Sequence, residues 1–178
     1  MNCFALDLGT TTGYALHRDG ESFVAGSWCL ANDAVIKLNK QQRVDRRLDP
    51  RVPLLFETVV RHIKQYDIKW IFFEDVQFGK TLGQVQLWSS FRGAVWCAAW
   101  QCGVKTECCP VGTLKKSASG FGGSDKDGMA YALAKSDKRF KLVGKKLTDT
   151  LSGRILDDNA VDAIHLLKWG LNLTKNCK

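Results

Sequence analysis

Apolar runs and alternating stretches divide the first part of the chain into predicted strands. "NCFALDLGT", residues 2–10, is apolar at nearly every position and stops at Gly9, a pattern typical of a strand buried on both faces. Two shorter apolar stretches follow, within residues 11–30. They are separated at 18–21 by Arg-Asp-Gly-Glu, in which Asp-Gly is a strong hairpin-turn signal. The chain is therefore predicted to open with three antiparallel strands.

After residue 50 the spacing alternates between helical and extended. Residues 52–66 have helical apolar spacing with Pro53 near the start, and "IKWIFFEDV" (68–76) predicts a strand. A long amphipathic helix over 81–103 and a short strand over 104–110 come next. A polar, glycine-rich stretch (115–128) precedes a short helix at 129–137 and a final helix at 157–173. These elements predict one α/β domain over residues 1–178, whose mixed central sheet adds parallel strands to the antiparallel start and is flanked by helices.

Composition points to a protein that meets a polyanion. The chain has 26 Lys and Arg against 18 Asp and Glu, a net charge of +8 and an isoelectric point near 9.2. This balance favours nucleic acid as a partner. The most basic segment, 37–51, contains Arg43, Arg46 and Arg47, which we expect to lie along a DNA arm unless the segment is simply a solvated loop.

Other classes are disfavoured by what the sequence lacks. No apolar run approaches the roughly 20 residues of a membrane helix, and no basic region precedes the first apolar run as in a signal peptide. Seven cysteines without zinc-site spacing are typical of reduced thiols. We therefore expect a cytoplasmic location, in the host cytoplasm if the chain is viral, and no membrane partner.

Carboxylates stand at the ends of apolar segments. Asp7 closes the first strand, Glu74 closes "WIFF", and Asp158 and Asp162 share one face of the last helix. Acids at these places could converge at one rim of a sheet, where their mutual repulsion would need a divalent cation. Hard oxygen ligands select Mg²⁺ or Mn²⁺.

Each of these acids also has a structural interpretation. Asp7 could cap a turn, and Asp75 could be the working carboxylate in place of Glu74. Asp157 and Asp158 stand where helix caps are common. Capping is harder to invoke for Asp162, because an acid on an apolar helix face is costly without a partner.

The turn after Asp7, "DLGTT", resembles the phosphate-binding turn of sugar kinases and actin-like ATPases. Those enzymes close two lobes over a nucleotide, and 178 residues provide for one. No Gly-x4-Gly-Lys-Ser/Thr loop is present either. A nuclease is therefore favoured over an ATPase, and a DNA-binding module without catalysis is the competing class.

The same motifs resemble the RuvC-type Holliday junction resolvases of the ribonuclease H-like superfamily. "ALDLGTTTGYAL" resembles the first strand of that family, and "FFEDVQF" followed by "LWSSFRGAVWCAA" resembles its second motif. "CPVGTLKKSASGFGGSDK" resembles the stretch that carries two functional lysines. "DDNAVDAIHL" is similar to the terminal acidic motif, particularly in phage-encoded members.

The resemblance implies a Mg²⁺-dependent crossover junction endodeoxyribonuclease that acts as a homodimer on four-way DNA junctions. It implies two ions per site, with Mn²⁺ substituting, held by Asp7, Glu74, Asp158 and Asp162. The family spacing would use Asn159 where this chain offers Asp158. A nuclease that debranches flaps, forks and three-way junctions would use the same site.

The resemblance also implies DNA contacts. Lys115 and Lys126 fall at the two functional lysines and would contact the backbone or offset charge on the reacting phosphate. Phe78 would stack on an unpaired base or pack in the core, and Arg92 would reach a phosphate or support the Glu74 segment. The apolar surface of the long helix serves a dimer interface or the core, and we expect His165 to be a packed, hydrogen-bonded residue.

Overall fold

The computed structural model describes residues 1–31, 37, 49–75 and 81–175. Among these residues the chain forms eight strands and five helices. The strands are β1 (Cys3–Asp7), β2 (Thr11–His17), β3 (Val24–Cys29), β4 (Trp70–Glu74), β5 (Lys105–Cys109), β6 (Phe140–Val143), β7 (Lys146–Asp149) and β8 (Ile155–Leu156). The helices are α1 (Arg51–Tyr66), α2 (Leu82–Gln101), α3 (Val111–Ser119), α4 (Lys126–Ser136) and α5 (Asp158–Lys175).

The first five strands form one mixed sheet in the order β3-β2-β1-β4-β5. β1, β2 and β3 pair antiparallel, whereas β4 and β5 join β1 in parallel. The hairpin turn between β2 and β3 lies where Asp-Gly predicts it, with Gly20 at a φ of 78° and the Glu21 N–H donating to the Arg18 carbonyl. The predicted α/β class, with an antiparallel start and parallel continuation, is confirmed.

Helices cover both faces of this sheet, which explains the uninterrupted apolar runs in β1 and β4. Phe4 and Phe73 point to the face that packs with α1 and α2, where they meet Leu55 and Phe91. Phe72, one residue before Phe73, points to the opposite face and packs against α5. Each central strand therefore has no polar side to mark its alternation.

Two glycines allow α5 to lie very close to the sheet. A Cβ on Gly13 of β2 would stand 1.9 Å from the Asn159 carbonyl oxygen in the first turn of α5. A Cβ on Gly170 would stand 2.3 Å from the ring of Phe72. Neither helix nor strand could keep its place with a larger residue at these points. The glycines therefore fix the height of α5 above β1 and β2.

Two parts of the fold differ from the prediction. Residues 111–119 form α3, although the stretch from 115 reads as a polar loop, because only Leu114 of this helix is buried. Residues 140–156 form a separate antiparallel sheet in the order β6-β7-β8, which the sequence pattern did not predict. Its strands have only two to four residues, too few for alternation to stand out from the polar background.

Within the described residues, no helix combines the length and apolar character needed to cross a membrane. The six described cysteines are free thiols, as the sequence predicts.

Candidate active site

Asp7 lies at the carboxyl end of β1, paired with Gly13 of β2. Burial raises the pKa of its carboxyl well above the ordinary value, and the charges of Glu74 and Asp162 raise it further. Side chains that are 67 and 155 residues away in sequence therefore act on Asp7 through space. The turn after Asp7 is held by Thr12, whose hydroxyl donates to the Gly9 carbonyl at 2.7 Å.

Glu74 and Asp162 have the same kind of environment. Burial raises the pKa of Glu74 to about 7, and the charge of Asp162 adds to the effect. Burial also raises the pKa of Asp162 to about 6. Glu74 ends β4, which is parallel to β1, so both strands deliver a carboxylate to the same rim. Asp162 comes from the first turns of α5 above that rim.

Two lysines act electrostatically on these acids. The charge of Lys115, on α3, lowers the pKa of both Glu74 and Asp162. Lys126, the first residue of α4, lowers the pKa of Asp7 and Asp162 by its charge and donates to Asp158 at 2.8 Å. The structure therefore brings together Asp7, Glu74, Asp162 and both predicted lysines.

An open cleft of about 640 Å³ contains this rim. Its walls include the acids of β1 and β4 and Asn159 of α5, together with Trp88 of α2 and glycines around α3. The lining residues are Asp7, Leu8, Gly9, Glu74, Asp75, Trp88, Val111, Gly112, Gly122 and Asn159. The cleft is open to solvent, and α3, which contributes Val111 and Gly112, lies in the stretch whose resemblance placed Lys115 at the site.

The three polar residues at the start of α5 make different contacts. Asp157 caps the helix, because its carboxylate accepts the Ala160 N–H at 2.8 Å, and it also accepts the Ser27 hydroxyl at 2.5 Å. Asp158 forms the ion pair with Lys126, with both side chains more than half exposed. Asn159, rather than Asp158, lines the cleft. The capping interpretation therefore holds for Asp157.

Arg92 supports the segment that carries Glu74. Its Nη1 donates to Asp75 at 2.6 Å, and its guanidinium lies 4.9 Å from the ring centre of Trp96. Asp75 is thereby neutralised beside the cleft, which leaves Glu74 as the carboxylate without a salt bridge among the described residues. This contact agrees with the supporting role predicted for Arg92, and its contact with a phosphate stays a prediction.

The comparisons with known proteins concern the fold. No family model and no curated protein matches the sequence. Thermus thermophilus RuvC bound to a Holliday junction substrate aligns with a TM-score of 0.62 and 16% identity, over 93% of this chain and 90% of that one. A second Thermus thermophilus RuvC structure gives 0.57 and 15%, over 96% and 97%. The yeast mitochondrial Holliday junction resolvase gives 0.58 and 8%, over 92% and 75%.

The chain has a ribonuclease H-like fold. At these identities the likeness extends to the fold alone. In this ribonuclease H-like fold, the acidic rim described above is formed by the carboxyl ends of β1 and β4 with the start of α5 over it.

The remaining predicted residues are distributed as follows. Phe78, Arg43, Arg46 and Arg47 lie outside the described residues. His165 is buried and hydrogen-bonded through Nε2 to the Met129 carbonyl at 2.9 Å, as predicted for a packed histidine.

The predicted apolar surface of the long helix is divided between core and solvent. Phe91, Val95 and Ala99 are buried in the core, whereas Trp96 is 45% exposed. The exposed apolar surface of α2 is completed by Leu82, Val85 and Trp100. The apolar surface predicted for an interface or the core consists of Trp88, Phe91, Val95, Trp96 and Ala99, and three of these five residues are buried in the core.

The donor set at the rim suits a hard divalent cation, because its groups are carboxylate oxygens in mutual repulsion. Within residues 1–31, 49–75 and 81–175, no three His, Cys, Asp or Glu side chains are already arranged around one common point for an ion. Burial raises the pKa values of Asp7, Glu74 and Asp162, and the charges of neighbouring acids add repulsion. A bound cation would remove it, so the chemistry of the site fits Mg²⁺ or Mn²⁺.

Proposed function

We propose that this chain is a structure-selective DNA endonuclease that resolves four-way junctions by symmetric, metal-dependent phosphodiester hydrolysis. The observation that carries the proposal is the convergence of Asp7, Glu74 and Asp162 beside Lys115 and Lys126 on a ribonuclease H-like fold. The fold neighbours include a RuvC bound to a Holliday junction substrate, and this supports branched DNA as the ligand. The net charge of +8 suits the same polyanion.

Asp7, Glu74 and Asp162 are proposed to hold two Mg²⁺ ions, with Asp158 or Asn159 as the fourth ligand. When bound, such a pair of ions activates water and stabilises the leaving oxygen of a phosphodiester. Asn159 has the better position, since it lines the cleft while Asp158 is engaged with Lys126. Asp158 would join the ligands only by releasing that lysine.

Lys115 and Lys126 are proposed to contact the phosphate backbone of the scissile strand. Neither is buried in the core, and both act electrostatically on the acids at the rim. A bound phosphate would provide Lys126 with an alternative partner to Asp158. Cationic groups so placed offset the charge that develops on the phosphate during hydrolysis.

A homodimer is proposed to present two such sites to the two strands of a junction. The exposed apolar face of α2 supports this part of the proposal, because Trp100 is 85% and Leu82 74% exposed to solvent. A two-fold dimer would match a substrate that has approximate two-fold symmetry. Sedimentation equilibrium of the wild-type chain and of Trp100→Ser should show a dimer weakened by the substitution.

The test compares synthetic four-way, three-way, flap and linear duplex substrates in Mg²⁺ and in EDTA. We expect paired, symmetric incisions in the four-way junction, no cleavage in EDTA, and little cutting of linear duplex. Asp7→Asn should abolish cleavage while retaining or strengthening junction binding, because repulsion of phosphate falls. Asp67→Asn, on the exposed end of α1, is the matched control and should cleave normally.

The outcomes separate the alternatives. Equal cutting of every branched substrate would replace the resolvase with a broader debranching nuclease. Binding without cleavage in wild-type protein would favour the non-catalytic module. Cleavage of linear duplex as fast as branched DNA would remove structure selectivity altogether.

A further inference from the structure

The three-stranded sheet β6-β7-β8 has one buried and one exposed face. Phe140, Leu147 and Asp149 are buried on the inner face. The register pairs Lys141 with Thr148 and Val143 with Lys146, so these four side chains point outward together. Ile155 of β8 pairs with Thr148 and extends the same outer face.

This outer face is basic, and none of its outward positions in β6, β7 and β8, all of them described, carries an acidic side chain. Lys141 and Lys146 are exposed, and neither forms an ion pair with another described residue. They occupy diagonal positions on adjacent strands, which places their backbones about 7–8 Å apart. Val143 and Ile155, 63% and 62% exposed, lie beside the lysines. Two lysine side chains that start from such neighbouring positions can reach successive phosphates of one nucleic-acid strand.

The sheet is attached rigidly to the rest of the molecule. Arg139 donates to Asp149 through Nε at 2.8 Å and Nη2 at 2.7 Å, and through Nη1 to the Phe23 carbonyl at 2.6 Å. The rings of Phe23 and Phe140 stack with centres 6.0 Å apart. This anchor ties the small sheet to the chain entering β3, so its outer face is presented in a fixed orientation.

The lysine-bearing end of the sheet lies next to the candidate active site. Lys145 lies in the turn between β6 and β7, and its Nζ is 3.6 Å from Oδ2 of Asp127, the neighbour of Lys126 on α4. β8 leads directly into Asp157 and the start of α5. A nucleic-acid strand leaving the cleft past Lys126 would therefore meet this end of the sheet.

We propose that the outer face of β6-β7-β8 is a second DNA-contacting surface, which binds the phosphate backbone of a duplex arm beside the cleavage site through Lys141 and Lys146. The proposal rests on the proposed function and adds to it a surface outside the acidic rim. Val143 and Ile155 would pack on the sugars between the phosphates. Because the lysines touch no reacting group, they contribute to affinity and arm placement.

The experiment measures binding of a four-way junction as a function of salt, with all proteins carrying Asp7→Asn to prevent cleavage. The test variant is Lys141→Gln/Lys146→Gln. The matched control is Arg61→Gln/Lys64→Gln, which removes two exposed charges from α1, on the far face of the main sheet. Thermal melting of each variant verifies that the fold is retained.

We expect the test variant to bind about tenfold more weakly at 0.1 M salt and to lose roughly two units from the slope of log affinity against log salt. The control should keep the parental slope. With Asp7 restored, the test variant should still cleave the junction, but at enzyme concentrations raised in proportion to its weaker binding.

Two results would overturn the proposal while leaving the nuclease intact. One is a slope equal to that of the control in a variant that still cleaves. The other is loss of junction binding in Val143→Thr/Ile155→Thr while the lysine changes have no effect. This result would mean that apolar contacts, and not the lysines, bind the junction at this face. Failure of wild-type protein to bind or cleave any branched DNA would instead remove the proposed function, and this surface with it.

Discussion

Asp149 and the acids at the rim of the main sheet have opposite electrostatic environments, which shift their pKa values in opposite directions. Asp149 accepts hydrogen bonds from two nitrogens of Arg139, the Leu151 N–H and the Ser152 hydroxyl. These bonds, those from Arg139 first, lower its pKa to about 2. Asp7, by contrast, has burial and the charges of Glu74, Asp162 and Asp157 acting on it, and its pKa is raised well above the ordinary value.

The contrast indicates at which of the two places the protein itself compensates the negative charge. The negative charge of Asp149 is compensated within the protein by Arg139 and by the hydrogen bonds from Leu151 and Ser152, so this acid holds the small sheet in place. Among the described residues, no side-chain hydrogen bond or ion pair is made to Asp7, Glu74 or Asp162, and the charges of Lys115 and Lys126 offset only part of the effect of burial and neighbouring acids. A group of acids maintained at such a cost is expected where an external cation supplies the missing charge.

The largest effect is expected from Asp162→Asn. Cleavage should fall by roughly 10³-fold or more, since an amide cannot replace a charged ligand of the reaction. In EDTA at neutral pH the same variant should be more stable than wild type, because one repelling charge is gone. Single-turnover cleavage and urea unfolding measure the two quantities. A variant that cleaves normally, or is destabilised in EDTA, would contradict the assignment of Asp162 to the rim.

Asp149→Asn should have the converse result. Breaking this buried pair leaves Arg139 without its counter-charge and should lower the free energy of unfolding by about 3 kcal/mol. The rate of cleavage at saturating enzyme should stay near that of wild type below the melting temperature. Urea unfolding checks the first statement. Unchanged stability would mean that Asp149 does not anchor the small sheet.

Gly13→Ala tests what holds Asp162 over Asp7. The added methyl meets the backbone at Asn159 and must displace α5, which should cost about 2 kcal/mol of stability. A shift near 1 Å at the rim should lower the rate of cleavage by about 10²-fold. Gly83→Ala is the control and should be neutral or slightly stabilising, because no atom of the described residues lies within 4 Å of an added Cβ there. Equal behaviour of the two variants would show that α5 tolerates displacement.

The last prediction concerns the pH dependence of stability without divalent ions. The pKa values of Glu74 and Asp162 are raised to about 7 and about 6, so the unfolded chain releases these protons at lower pH than the folded one. Their contribution to stability should therefore fall as pH rises from about 4 to about 7, by at most about 1.4 kcal/mol per pH unit for each group. The contribution of Asp149 should instead be lost only as pH falls from about 4 toward 2.

Urea unfolding from pH 2 to pH 8 separates the two windows. Saturating Mg²⁺ should remove the decline between pH 4 and pH 7, and Asp149→Asn should remove the low-pH loss. A decline that is the same in Mg²⁺ and in EDTA would contradict the proposed cation site.

The difference between the two clusters also explains what the sequence could predict. Asp7 and Glu74 end long apolar runs, and Asp162 interrupts a helical apolar face, so all three acids are visible as exceptions to a strong pattern. Asp149 lies in a four-residue strand within a polar segment, and its partner Arg139 precedes another short strand. No periodicity develops over so few residues, and the pairing exists only in the folded chain.

Contacts that depend on close packing were beyond prediction for a related reason. A cap at Asp157 was predicted, but the different places of Asp158 and Asn159 follow from how α5 meets β2 and α4, and adjacent polar residues carry no signal of that geometry. Gly13 offered one indication, because a glycine inside a strand marks a close backbone approach.

The central claim is that Asp7, Glu74 and Asp162 together bind divalent cations. A crystal of the protein soaked in Mn²⁺ near pH 7.5 and measured at the manganese absorption edge tests it most directly. We expect anomalous density from Mn²⁺ between these three carboxylates, and we expect none there in crystals of Asp7→Asn. Ordered manganese elsewhere on the protein, with none at this rim, would contradict it.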